Sequence, residues 1–200
     1  MHQLINLITA LGYLGYFILF ITIFLESFPL TFFLPGDSLL FTTGFLASQG
    51  YFNIVILIIT LFVGSFLGYV FSYFMGVKLH DFIMKSNDRY WFKKKHLEYT
   101  HKFFQKYGDK TIIIGRFVPI VRSFAPTLAG VAEMSYKRFT RDSLIGAALW
   151  TLSITLAGYY LGKIIPGADK YLTLIILFIV AISLSPTVYE YLKHRRNKIK

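Results

Sequence analysis

The chain has 200 residues, of which 55% are hydrophobic, 18% aromatic and only 16% charged, and its mean hydropathy is +0.56. That composition excludes an ordinary soluble domain and points to one compact helical membrane domain. With a net charge of +11 and no cysteine, the chain has no disulfide framework, thiolate metal site or cysteine nucleophile.

The positive charge is segregated. No Lys or Arg precedes Lys78, and the bases then gather in Lys78 to Lys110, Lys137 to Arg141 and Lys193 to Lys200. Bases confined to loops between apolar runs follow the positive-inside pattern and are drawn to anionic headgroups. Nucleic-acid binding is excluded, because the long apolar segments leave no soluble face for a basic groove. The N-terminus lacks a basic n-region and a small-residue cleavage site, so a cleaved signal peptide is not expected.

Leu4 to Leu25 is apolar and long enough to span a bilayer, and Glu26 ends it. Ser27 to Ala47 is also apolar but is interrupted by Pro29, Pro35, Gly36 and Asp37. It reads as a re-entrant hairpin, two half-helices meeting at Leu34-Pro35-Gly36-Asp37, with Asp37 placed to cap the second. Tyr51 to Gly76 reads as a full spanning helix, in which Gly64 and Gly68 form a small-xxx-small pair for close helix packing. Val77 to Lys110 is polar and basic, with Tyr99, Phe103 and Tyr107 at i, i+4, i+8 giving an aromatic stripe. A helix of that kind lies in the interface plane, and its bases put it on the cytoplasmic side.

Thr111 to Ala132 is apolar yet holds Arg116, Arg122, Pro119 and Pro126. Guanidiniums at hydrocarbon depth are expensive and serve an ion or a charged ligand. The prolines deny a continuous helix, so a second broken hairpin is expected, with Gly130 in its closing part. Basic loops on both sides of it give the same re-entrant reading. Ser143 to Leu161 then spans outward, Pro166-Gly167 turns, Tyr171 to Leu192 returns, and the basic tail 193–200 ends in the cytoplasm.

Shifting the chain against itself by about ninety positions sets Glu26 on Arg116, Pro29 on Pro119 and Gly68-Tyr69 on Gly158-Tyr159. The expected fold is therefore an all-α polytopic membrane protein. It is an inverted repeat of two facing re-entrant hairpins, with spanning helices and an interfacial amphipathic cytoplasmic helix. The halves are 1–76 and 111–165, joined by the basic segment 77–110 and followed by a last span at 166–192.

Phe24-Leu25-Glu26 with Leu34-Pro35-Gly36-Asp37, and Gly115-Arg116-Phe117-Val118-Pro119 through Arg122, Pro126 and Ala129-Gly130, closely resemble the motifs of the DedA family, also called the SNARE-associated or VTT domain family. Met134-Ser135-Tyr136, Arg138-Phe139, Trp150 and Gly158-Tyr159-Tyr160-Leu161-Gly162 extend the resemblance over nearly all of the chain. Ile120 departs from the pattern, standing where many members have glycine. The resemblance implies lipid translocation in the cell membrane: recycling of undecaprenyl phosphate, or flipping or scrambling of phosphatidylethanolamine or another glycerophospholipid, with some members requiring the proton gradient. It also maps the family's membrane acids onto Glu26 and Asp37 and its essential arginines onto Arg116 and Arg122.

The residues themselves suit that chemistry. Guanidinium stays charged and forms paired N–H bonds to phosphate oxygens. Glu26 is the better proton carrier, since burial raises a carboxylate pKa while a nearby arginine lowers it. The rival reading is that Glu26 or Asp37 merely neutralises Arg116 in a packed core. The histidines, His2, His80, His96, His101 and His194, lack ligand spacing, so neither a metal nor another cofactor is expected. Gly64-Ser65-Phe66-Leu67-Gly68 is no nucleophile elbow, because its serine is off-centre and no histidine lies in the membrane core. A transporter is therefore expected rather than an enzyme, with a lipid-phosphate enzyme and a membrane scaffold as rivals. Protons, a lipid substrate and the anionic bilayer surface are the expected partners, and a homo-oligomer is compatible with the sequence.

Overall fold

The computed structural model describes residues 2–31, 35–85 and 110–164, and every regular element among them is helical. In order these are α1 (His2–Glu26), a 3₁₀ turn (Pro29–Thr31), α2 (Gly36–Ser48), α3 (Ile54–Lys85), a short helical stretch at 110–115, α4 (Pro119–Val131) and α5 (Tyr136–Ile164). Two helical segments, Ile54–Phe82 and Tyr136–Ile164, are long and apolar enough to cross a membrane, and about a third of each apolar window is buried by protein. Val55, Ile59, Phe71, Phe74, Leu149 and Leu152 remain exposed on them, as expected of lipid-facing helices.

The chain divides into two compact units, residues 1–32 with 60–151 and residues 33–59 with 152–200. In the first, α3 lies against α1 through Gly64 and Gly68. A Cβ at Gly64 would come within 3.0 Å of the Phe20 carbonyl, and one at Gly68 within 2.6 Å of both the Phe24 carbonyl and Ser27 Oγ. The small pair read from the sequence is thus a backbone contact. Ser72 Oγ adds a hydrogen bond to the Ser27 carbonyl at 2.7 Å. On its other side α3 meets α4 where Gly76 faces Gly130: a Cβ on Gly76 would lie 3.1 Å from Gly130 Cα. Tyr73 stacks on Phe139 with ring centroids 4.5 Å apart and donates to the Met134 carbonyl at 2.5 Å. Tyr69, Tyr73, Ile112, Ala125, Ala129, Ala132 and Phe139 form the core of this unit.

In the second unit α2 packs on the C-terminal part of α5. Side chains added at Gly44, Gly158 and Gly162 would overlap the Thr155 carbonyl, the Phe41 carbonyl and Ser48 Oγ in turn. Gln49 Nε2 closes the contact by donating to the Gly162 carbonyl at 3.0 Å.

Several boundaries differ from the sequence reading. Among the described residues before α2, Pro29–Thr31 form a 3₁₀ turn where a half-helix was expected. Asp37 does not cap α2. Pro35 holds the N-cap position with no side-chain cap bond, and Asp37 sits in the first turn, where its charge complements the helix dipole. Asn53, by contrast, caps α3, its Oδ1 accepting from the Val55 and Ile56 amides at 3.0 and 3.3 Å. α3 runs past Gly76 to Lys85, because Gly76 fills a packing role rather than a terminating one.

The second break falls at Arg116–Val118, and Pro119 then opens α4, where a missing N–H costs nothing. Pro126 is carried inside α4 and does not end it. The bases Lys137, Arg138 and Arg141 belong to the opening turns of α5. Leu34, the remainder of the basic segment at 86–109, the last span at 166–192 and the tail at 193–200 lie outside the described residues.

α4 ends in a Schellman motif. The amides of Glu133 and Met134 return to the carbonyls of Gly130 and Ala129 at 3.1 and 3.0 Å, and Glu133 takes a left-handed φ of 54°. Glu133→Gly should therefore raise the thermal midpoint in detergent, a gain of about 1 kcal/mol, since a side chain is disfavoured in that conformation. Gly158→Ala should lower it, by roughly 1–3 kcal/mol, because the added methyl must displace backbone.

Candidate functional site

Three charged side chains singled out by sequence meet within the first unit. Glu26 is the last residue of α1, Arg116 the first after the 110–115 stretch, and Arg122 lies in the first turn of α4. All three are almost wholly buried. With Ile23, Ser27, Ser65, Tyr69 and Trp150 they line a small cavity with room for about one water molecule.

Local structure explains the placement. Glu26 and Arg116 stand where helices stop, so their side chains leave at breaks rather than along a continuous helix face. The turn bonds Phe117 N to Ile114 O and Val118 N to Gly115 O, at 3.0 and 3.1 Å, hold the second break. The 3₁₀ turn packs on α4, and Ser123 Oγ reaches the Glu26 carbonyl at 3.3 Å, tying the first break to α4.

The two arginines are held differently. Arg122 forms an ion pair with Glu26 through a guanidinium N–H, and its guanidinium carbon lies 4.9 Å from the Trp150 ring centroid. Arg116 is held by neutral groups. One terminal nitrogen donates to Ser65 Oγ and the other to Ser143 Oγ, the latter at 3.2 Å. Its guanidinium carbon sits 3.5 Å from the Tyr69 ring centroid. Among the described residues no carboxylate pairs with Arg116. Gly146 on α5 makes room for this arm, since a Cβ there would lie 3.2 Å from Arg116 Cδ.

Hydrogen bonds to a charged group contribute about 1.5–3 kcal/mol each, and a desolvated cation–π contact about 2 kcal/mol. These partners are enough to hold the guanidinium buried without neutralising it. Two guanidiniums and one carboxylate therefore line the cavity.

Glu26, which the rival reading set against Arg116, thus pairs with Arg122. Asp37, with Pro35 and Gly36, belongs to the second unit, at the start of α2. Pro29 opens the 3₁₀ turn and Pro119 opens α4, so both shape the breaks beside the cavity. Gly130 serves the crossing with α3. Sequence reasoning missed Ser65, Tyr69, Ser143 and Trp150 as site residues. Their signal was spacing: Ser65 and Tyr69 at i, i+4 on α3, and Ser143, Gly146 and Trp150 at i, i+3, i+7 on α5, each set on one helix face.

Residues 34–160 match the VTT domain model. The chain belongs to the VTT-domain, or DedA, family. Protein DedA of Escherichia coli K12 is 39% identical over 197 residues, covering 97% of this chain and 90% of that protein. The uncharacterized membrane protein Rv0364 of Mycobacterium tuberculosis is 40% identical over 173 residues, 84% of this chain and 74% of its own. Inner membrane protein YqjA of E. coli K12 is 36% identical over 149 residues, 74% and 68%. No solved structure matches the chain. This VTT-domain protein is accordingly a membrane protein, and the family is broadly linked to membrane lipid transport.

The buried ion pair makes a stability prediction. Glu26→Leu or Arg122→Met alone should cost about 3–5 kcal/mol by stranding a buried charge. The double variant should cost less than the sum, as a double-mutant cycle by detergent melts would measure.

Proposed function

We propose that this protein is a membrane lipid transporter, a flippase that carries a lipid phosphate across the cell membrane, with undecaprenyl phosphate as its substrate and the proton gradient as its drive. The observation that carries the reading is Arg116, a buried guanidinium held by hydroxyls and a ring and paired with no carboxylate among the described residues. A phosphate oxyanion is the partner its remaining charge calls for. Ser65 and Tyr69 stand in the middle of the Ile54–Phe82 span, which sets the site near bilayer mid-depth, where a headgroup must pass.

The helix breaks support the repeat. α1 stops at Glu26 and the 110–115 helix stops just before Arg116, and the next elements open at Pro29 and Pro119. These are the pairs that fall together when the chain is shifted on itself, and they fit two broken, re-entrant elements of opposite direction. α3 and α5 run antiparallel in the first unit, with Tyr73 against Tyr136 at the end that carries Lys78 and Lys137. By the positive-inside rule that end is cytoplasmic, and the C-terminal tail with it.

Glu26 is the coupling group. Its carboxylate occupies Arg122 in the resting state, and an arriving phosphate competes for that arginine, freeing Glu26 to take a proton. Ser65 and Ser143 accept hydrogen bonds from a guanidinium, which opposes a nucleophilic role and favours transport over catalysis.

The test is headgroup translocation by purified protein in liposomes, undecaprenyl phosphate against phosphatidylethanolamine, with and without a pH gradient. Wild type should move undecaprenyl phosphate faster under the gradient. Arg116→Ala should lose about tenfold or more, and Arg116→Lys should not restore it, because the paired donors are gone. Glu26→Gln should still insert and fold but lose the gradient dependence. Unchanged transport by Arg116→Ala would refute the headgroup role, and faster phosphatidylethanolamine movement would assign the glycerophospholipid instead.

A further inference from the structure

Among the described residues, the buried hydroxyls of Ser38, Thr42, Tyr69, Thr127, Thr140 and Thr155 have no hydrogen-bond partner, and Tyr69 alone of these lines the cavity. A buried hydroxyl without a partner costs free energy, and of these six only that of Tyr69 stands where charged groups line a cavity. Tyr69 is 1% exposed, so bulk water does not serve it. Its ring is fixed in place by the Arg116 guanidinium on its face. One turn further along the same helix, Tyr73 shows the purely structural alternative, a hydroxyl donating to the Met134 carbonyl at 2.5 Å. Arg116 Nε is likewise buried without a hydrogen-bond partner. Two donors, the Tyr69 hydroxyl and Arg116 Nε, therefore stand in a cavity that also holds the Arg122–Glu26 ion pair.

We propose that the Tyr69 hydroxyl is a direct hydrogen-bond donor to the anion held in this cavity, acting beside Arg116 on a phosphate oxygen. The inference rests on the headgroup reading given above and adds a neutral donor to it. A phenol donates to an oxyanion without adding charge, so it strengthens binding while leaving the charge balance that Glu26 and the two arginines set. The ligand chemistry is an anionic phosphate oxygen, which a lipid phosphate and free phosphate share.

Tyr69→Phe removes only the oxygen and keeps the ring on Arg116. The experiment measures binding of farnesyl phosphate and of inorganic phosphate to the full chain in detergent by isothermal titration calorimetry, with thermal melts of the ligand-free protein alongside. Tyr69→Phe should weaken binding about tenfold or more while its ligand-free midpoint stays level or rises, since an unsatisfied buried hydroxyl has gone. That opposition of affinity and stability is not produced by a hydroxyl with a structural role. Tighter binding of farnesyl phosphate than of inorganic phosphate would mark the source as lipid, and equal binding would mark it as the free anion, with Tyr69 a donor in both cases. Unchanged affinity with a lowered midpoint in Tyr69→Phe, the signature of a hydroxyl bridged to the protein by a bound water, would overturn this inference and leave the headgroup reading standing. Wild-type protein that binds neither probe would overturn both.

Discussion

A guanidinium removed from water has to be held by whatever surrounds it, and the way Arg116 is held sets the requirements for the rest of the first unit. Ser65 and Tyr69 come from α3 and Ser143 from α5, while the arginine itself hangs from a break between two helical pieces. None of these groups cancels the charge, so all must be in register at once. Among the described residues α1 supplies the one carboxylate lining the cavity, and it forms an ion pair with the other arginine. Close approach of α3 to α1 at Gly64 and Gly68 is what brings Glu26 within reach.

The charged part of this site was legible in the sequence because a charge inside an apolar run has few structural excuses. Glu26, Arg116 and Arg122 stood out on those grounds alone. Which acid meets which arginine was not legible, since pairing across helices depends on crossing points that hydropathy does not encode. Ser65, Tyr69, Ser143 and Trp150 were hidden for the opposite reason: hydroxyls and aromatics are ordinary in membrane helices, and only a neighbouring charge gives them a role. The prolines showed that the chain breaks but not where. Pro119 opens a helix and Pro126 sits within one, two outcomes that one residue type allows. Asp37 illustrates a finer limit. A capping residue is defined by backbone angles two positions away from where composition placed it.

The two arginines divide the work between them. Arg116 is fixed by neutral partners that have no competing use, which suits a permanent anion receptor. Arg122 is held by a carboxylate and a ring, a partnership that a second anion can exchange. That asymmetry distinguishes this arrangement from a symmetrical clamp: the ion pair that a second anion would have to exchange joins α4 to α1, not to α3. The family membership and the inner-membrane relatives locate this chemistry in a bilayer, where the alternative solvent for an unpaired cation is hydrocarbon.

Gly76 and Gly130 give α3 and α4 a shared bearing. Because their backbones meet without an intervening side chain, the joint has no soft layer to absorb a displacement. A shift of α4 that carried Arg122 away from Glu26 would have to pivot about this point, and the end of α4 nearer Arg122 would travel further than the end at Gly130. Pro126 lies between the two, withholding the N–H that would bond the Arg122 carbonyl, so the helix is most compliant on the side that has to swing. In such a shift the crossing would be the fulcrum, with the arginine on the long arm.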